Sequence, residues 1–426
     1  MRQLGWSLVM VLILSAVVSC GTATTDDTPD GVDEDTTELP DTIAAPDVTT
    51  PPAPDTGGED APPPLPDVIV DPPPGDVVAP DATDPDTLGP PPEDVEPGSD
   101  ADVVADTTPA PDTTPDVEDD VPTVPPGQLP SFDDFPAPLF TASVTTVRAV
   151  TINGFRTDVD LHLPQGAEGP LPVVVINHGF QLSKNDFLPF GERLAQYGFI
   201  GVLANFDNNA FRPRNHSTLA DDVVALITWI IAENERAGSP LQGRVDAGRI
   251  GAGGHSRGGK QAILAATRDP RIRASFNMDP VDSNPPIGGG AVSVTPEEMP
   301  RFTIPGVFVG TGKGAQGLQA CAPPADNYDQ YYRNSPGSSW RILIPNAGHN
   351  DFVTSCQQAG FSLACSACPR GDEPLWNARY TAYAMVAFYR TFLVGDASYR
   401  TWLDGPRAQA MAPWIEISTR LLPEHR

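Results

Sequence analysis

The sequence predicts an α/β domain in which a mostly parallel central sheet of about eight strands is covered by helices on both faces. Apolar runs bounded by Gly, Pro and Asn recur from about Pro130 onward, and helical patterns separate most of them. One serine also stands among five glycines in "GAGGHSRGGKQA", residues 251 to 262, where strand character passes into helical character. Strands alternating with helices imply parallel pairing, because the chain must cross back over a face of the sheet to run in the same direction again.

In chain order, the strand candidates are residues 143–152, 158–164, 171–179, 198–206, 249–254, 274–279, 304–312 and 340–345. The first two adjoin without a helix, so the sheet is expected to start antiparallel. Helical patterns fall at 185–198, 217–238, 257–269 and 374–395. In "STLADDVVALITWI" the end carrying Ser217 and Asp221 is polar, and apolar residues then recur at three and four, the pattern of a capped amphipathic helix. The roughly 295 residues from 131 to 426 suit one domain. Only about two dozen residues separate the sixth strand from the seventh, which leaves no room for a large lid domain and predicts an open cleft.

The chain ahead of this domain reads differently. Of the net charge of −30 over 426 residues, almost all lies in residues 21–130, which hold 29 Asp and Glu and no Lys or Arg. That segment also contains 26 of the 50 prolines, and such a composition buries too little apolar surface to offset its chain entropy. A disordered linker is expected, spanning roughly 60 Å as a flexible coil. Residues 131–426 carry 25 basic against 27 acidic side chains, so charge gives no reason to infer a nucleic-acid partner. Residues 1–20 show an early Arg2 and an apolar run from Leu8 to Val18, too short to cross a hydrocarbon layer of about 30 Å. A secretion signal is therefore expected. Its ending, Val17-Val18-Ser19-Cys20, resembles the lipobox of bacterial lipoproteins, which implies acylation at Cys20. The protein is then an exported cell-envelope lipoprotein, tethered to a membrane at the outer membrane or cell surface, and a monomer is the expected state.

Four cysteines remain: Cys321, Cys356, Cys365 and Cys368. An even number in an exported chain points to two disulfides, and "CSACP" lacks nearby histidines at metal-site spacing. Three pairings are open.

The chemistry concentrates in "GHSRG", a G-x-S-x-G pattern following a predicted strand and opening a predicted helix. In that context it marks a tight turn that exposes a nucleophile, Ser256, with a helix amino terminus behind it to favour developing negative charge. Gly254 and Gly258 are expected to make room for the turn, and Gly253 and Gly259 to ease the approach of neighbouring elements. A serine hydroxyl needs a base, and histidine suits that task. Among six histidines, His349 follows both the last predicted strand and the serine, whereas His162 lies within a strand, His216 in a polar loop, His255 beside the turn, His178 before the serine and His425 in the tail. For the acid, the loop after 304–312 offers no carboxylate, but the preceding strand ends "FNMDPVD". Asp279 is the first choice, Asp282 the second, and Asp351 is too near His349 in sequence to rank with them. The oxyanion donors expected are the backbone N–H groups of Arg257 and of Phe180, the latter after His178-Gly179 at the end of the third strand.

"GHSRGGK", followed by "MDPVD", "CAPPADNYDQYY" and "AGHNDF", resembles the chlorophyllase branch of the α/β-hydrolases, near the bacterial cutinase-like polyester hydrolases and the platelet-activating-factor acetylhydrolases. The resemblance spans roughly Ser143 to Asp396. It implies an α/β-hydrolase fold and a carboxylic-ester hydrolase whose Ser-Asp-His triad falls on Ser256, Asp279 and His349. No metal or organic cofactor is needed for such a reaction. Bulky, lipid-like or polymeric esters are the substrates expected of an uncapped cleft. A lipase or peptidase of the same superfamily and a catalytically silent surface binding protein on the same fold remain the alternatives.

Overall fold

A computed structural model describes residues 127–207, 214–283, 292–317, 320–357 and 363–425. The expected signal peptide with Cys20, and residues 21–126 of the expected linker, lie outside the described residues. In chain order the main elements are β1 (Ala142–Ile152), β2 (Phe155–Pro164), β3 (Leu171–Asn177), α1 (Leu188–Gln196), β4 (Ile200–Ala204), α2 (His216–Glu235), β5 (Val245–His255), α3 (Arg257–Ala266), β6 (Ile272–Met278), β7 (Gly306–Thr311), α4 (Tyr328–Asn334), β8 (Ser339–Ile344), α5 (Pro374–Tyr389) and β9 (Glu416–Arg420). The strands form one sheet in the order β1-β2-β4-β3-β5-β6-β7-β8-β9. Pairing is parallel from β4 through to β8 and antiparallel at both edges, where β1 and β2 lie on one side and β9 on the other.

Strand β3 shows how the sheet is covered. Val174 and Ile176 face one apolar layer, shared with Phe190 and Leu194 of α1 and Ala384 and Phe388 of α5. Val173 and Val175 face the other, with Leu219 and Leu226 of α2 and Ile263 and Ala265 of α3. A strand buried on both faces is uniformly apolar, as "VVVI" is, since every side chain meets a helix. Each such side chain contributes about 1.5–3 kcal/mol by leaving water.

Several boundaries and placements differ from the sequence reading. Strand β9, "EISTR", has little apolar character, and it forms because β8 offers an unpaired edge to its backbone. The seven-residue α4 was likewise not expected. His216, expected in a polar loop, is the first residue of α2 and is buried, while the cap is Asn215, whose side chain accepts from Ser217 N at 2.8 Å. The packed domain also takes in the last residue of the expected linker: Pro130 is buried and its carbonyl accepts from Trp376 Nε1 at 2.9 Å, next to the start of the expected domain, where Phe132 and Phe135 pack on Tyr383 at 5.0 and 4.3 Å between ring centroids.

Tyr389, at the end of α5, locks that helix to the middle of the sheet. Its hydroxyl donates to Ala252 O of β5 at 3.0 Å and accepts from Phe276 N of β6 at 3.1 Å. Gly251 leaves the space the ring needs, since a Cβ there would stand 2.6 Å from the Tyr389 ring.

The disulfides are Cys321–Cys368 and Cys356–Cys365, closing 47 and 9 residues of sequence separation. Loop-closure entropy makes the longer bridge the more stabilising, by about 1.5 kcal/mol. Replacing Cys321 and Cys368 by Ser should therefore lower the urea midpoint more than replacing Cys356 and Cys365, as equilibrium unfolding would show.

Burial also holds three framework histidines neutral, pulling His162 and His178 down to about 4 and His216 to about 3 from 6.5. Well above pH 6.5 they are neutral in both the folded and unfolded chain, so they add no pH dependence to stability there. As pH falls from 6.5 towards 4 the unfolded chain takes up protons that the folded one does not, so stability is lost, on the order of 1–3 kcal/mol per histidine. The thermal midpoint is expected to drop across that window, and scanning calorimetry from pH 7 to pH 4 checks it.

Candidate active site

Ser256 lies between β5 and α3 with φ 55° and ψ −122°, a backbone conformation that side-chain-bearing residues seldom adopt. The strain belongs to the serine alone. The flanking glycines have no positive φ and serve close approach instead. A Cβ on Gly254 would stand 2.5 Å from the Asn177 carbonyl oxygen and one on Gly258 2.2 Å from the same atom; on Gly253 it would meet Phe276 O at 2.1 Å, and on Gly259 Pro280 Cβ at 2.9 Å. The turn is held by Ser256 N donating to Met278 O at 3.0 Å, and by Gly259 N and Lys260 N donating to Ser256 O at 3.1 and 3.2 Å. Ser256 remains half-buried, whereas its neighbours His255 and Arg257 are buried.

Asp279 directly follows β6 and also has a positive φ, 43°. It is fully buried, and its Oδ2 accepts from His349 Nδ1 at 2.7 Å. Thr311, at the end of β7, also holds the carboxylate, through Oγ1 to Oδ2 at 2.5 Å and N to Oδ1 at 3.2 Å. Sequence reasoning missed Thr311, although its place at a strand terminus was a usable signal. His349 follows β8 in a short 3-10 turn, His349–Phe352. That turn is anchored twice. His255, the residue before Ser256, donates from Nε2 to His349 O at 2.8 Å, with the two rings 4.6 Å apart. Burial, with His349 as a second cause, holds His255 neutral, well below the usual histidine range.

The second anchor is Asp351, whose buried carboxylate accepts from Gly348 N at 2.9 Å, Gly371 N at 3.1 Å and Asn377 Nδ2 at 2.7 Å. Burial raises this carboxyl against the opposing pull of those bonds. Asp282, three residues beyond Asp279, faces elsewhere. It pairs with Lys260 of α3, whose Nζ donates to Asp282 O at 2.7 Å and lies 3.0 Å from Oδ1, with both side chains buried. The same carboxylate accepts from Val294 N at 2.9 Å, Thr295 N at 2.8 Å and Thr295 Oγ1 at 2.8 Å. A buried ion pair with its lone pairs met in this way is a structural strut.

Gly179 and Phe180 follow β3 and abut the serine. A Cβ on Gly179 would stand 3.3 Å from Ser256 Cβ and 3.0 Å from His255 Nδ1, so only glycine leaves both in place. The carbonyl of Gly179 meets His178 Nδ1 at 2.9 Å and Arg257 Nη2 at 3.4 Å, while the Arg257 guanidinium stands 5.4 Å from the centre of the Phe180 ring. Burial lowers Arg257 to about 10, still charged near neutral pH.

Ser256, Asp279, Thr311, His349 and the Gly179–Phe180 peptide therefore lie at the carboxyl ends of β3, β5, β6, β7 and β8, where open α/β sheets carry their working groups. A chlorophyllase family model matches residues 149–413. Chlorophyllase-1, chloroplastic, of Citrus sinensis is 25% identical over 311 residues, covering 68% of this chain and 92% of the relative. Chlorophyllase-2 of Arabidopsis thaliana is 24% identical over 256 residues, 54% of this chain and 76% of the relative. A bis(hydroxyethyl) terephthalate hydrolase of Streptomyces coelicolor is 24% identical over 212 residues, 49% and 60% of the respective chains. With that match across more than half its length and a mostly parallel sheet carrying helices on both faces, the chain belongs to the chlorophyllase family of α/β-hydrolases.

Proposed function

We propose that the protein is a serine carboxylic-ester hydrolase working through an acyl-enzyme, with Ser256 as nucleophile, His349 as general base and acid, and Asp279 as the carboxylate that orients it. The observation that carries this reading is the strained Ser256 turn, whose preceding residue His255 bonds to the carbonyl of His349 at 2.8 Å, together with the bond of His349 to a buried aspartate at 2.7 Å. As Ser256 Oγ bonds to the ester carbonyl carbon, its proton passes to His349 and the carbonyl electrons move onto oxygen. The backbone N–H groups of Arg257 and Phe180 receive that oxyanion. Collapse breaks the bond to the alcohol oxygen, which takes the proton from His349. Water then attacks the acyl carbon, giving its proton to the same histidine, and the acid departs as Ser256 is restored. Asp279 accepts from Nδ1 and so keeps the imidazole in the tautomer with that nitrogen protonated.

Bulky, lipid-like or polymeric esters are the proposed substrates. The partial exposure of Ser256 supports this, as do the relatives named as a bis(hydroxyethyl) terephthalate hydrolase and as cutinases. The lipobox-like end of residues 1–20 extends the proposal: Cys20 carries a lipid that anchors the protein at the cell envelope, with the acidic segment as its tether.

Purified protein is expected to hydrolyse p-nitrophenyl esters and to be labelled by a fluorophosphonate. Ser256→Ala should abolish labelling and reduce turnover by about 10³-fold or more, and His349→Ala comparably. Undiminished turnover in Ser256→Ala would overturn the assignment. For the anchor, radiolabelled palmitate should enter the full chain in a bacterial host and be lost in Cys20→Ala, with the protein moving from the membrane to the soluble fraction; equal labelling of both would refute it.

A further inference from the structure

Gly179 O and Phe180 N belong to one peptide unit, and a planar trans peptide points its C=O and N–H in opposite directions. Whatever fixes the Gly179 carbonyl therefore aims the Phe180 N–H. We propose that His178 and the Arg257 guanidinium are positioning residues that hold and polarise this peptide, so that the Phe180 N–H is set for the oxyanion before substrate arrives.

The hydrogen bonds of His178 leave one arrangement. Its Nε2 lies 2.9 Å from Phe206 N, a backbone N–H that can only donate, so Nε2 is the bare nitrogen. The proton is then on Nδ1 and is donated to Gly179 O at 2.9 Å. Burial keeps the ring in this neutral form, with its pKa lowered to about 4. Phe206 follows β4, so the bond ties the end of one strand to the peptide after the next. Arg257 Nη2 lies 3.4 Å from the same oxygen, and Leu182 N reaches it at 3.4 Å. Donors gathered on a carbonyl draw electrons along the peptide and make its N–H a stronger donor, by about 10–30% per bond. Arg257, a residue only 5% exposed, touches both halves of the proposed oxyanion site, offering its own N–H as one donor while its guanidinium holds the peptide that carries the other.

The inference rests on the ester-hydrolase reading, and its test separates the two. A thionoester develops negative charge on sulfur, a weak hydrogen-bond acceptor, and so draws little on the oxyanion donors while still needing the triad. In the full chain, Arg257→Met and His178→Gln should lower kcat for an ester by roughly 10- to 100-fold with KM little changed, and lower the ester-to-thionoester rate ratio by the same factor. His178→Asn should keep that ratio near the wild-type value, because its amide nitrogen takes the place of Nδ1. Equal losses on both substrates, no loss on either, or an Asn variant as impaired as the Gln variant would each overturn the positioning role. Wild-type protein without Ser256-dependent turnover would instead overturn the hydrolase reading from which the inference starts.

Discussion

The site depends on a steric constraint at one atom, the carbonyl oxygen of Asn177 at the end of β3. Gly254 and Gly258 crowd it so closely that no side chain fits on either, and between them Ser256 takes a backbone conformation it would not adopt alone. A residue in such a region costs on the order of 1–3 kcal/mol and persists only when its surroundings over-determine it. Here they do: β5 is paired on both sides by parallel strands, α3 packs over the turn, and Asn177 Nδ2 itself donates to Gly253 O at 2.8 Å. The strain is offset by a sheet buried on two faces.

Around that turn the strand ends are tied by polar groups in pairs. Thr311 faces Asp279, His255 holds the carbonyl of His349, Asp351 gathers the loop beyond it, and Lys260 with Asp282 binds α3 to the segment after β6. Each group is buried, where an unmet hydrogen bond costs about 1–3 kcal/mol. A rotation at any one of them would break such a bond. Such a network suits chemistry in which the charge distribution changes while the protein atoms stay in place.

The histidines illustrate the same economy. His178 and His255 are held neutral by burial, and each uses a ring nitrogen to orient backbone beside Ser256. His349, by contrast, pairs with the carboxylate of Asp279. Three imidazoles of identical chemistry are thus divided between framework and proposed catalysis by what surrounds them.

Much of this was legible in the sequence because it is local. The alternation of apolar runs and helical patterns indicates the α/β class, the glycines mark Ser256, chain order favours His349, and the acid-free loop after 304–312 directs the search for the acid to Asp279 and Asp282. What had to wait for tertiary structure is what depends on partners far apart in the chain. β9 has too few apolar residues to announce itself and exists because β8 has an open edge. Three disulfide pairings were open until the loops bearing Cys321 and Cys368 met. Asp279 and Asp282 are two carboxylates three residues apart, of similar local character. Only the packing of α3 gives one to Lys260 and that of β8 gives the other a histidine, since a side chain's role is set by the atoms around it and these come from elsewhere in the chain.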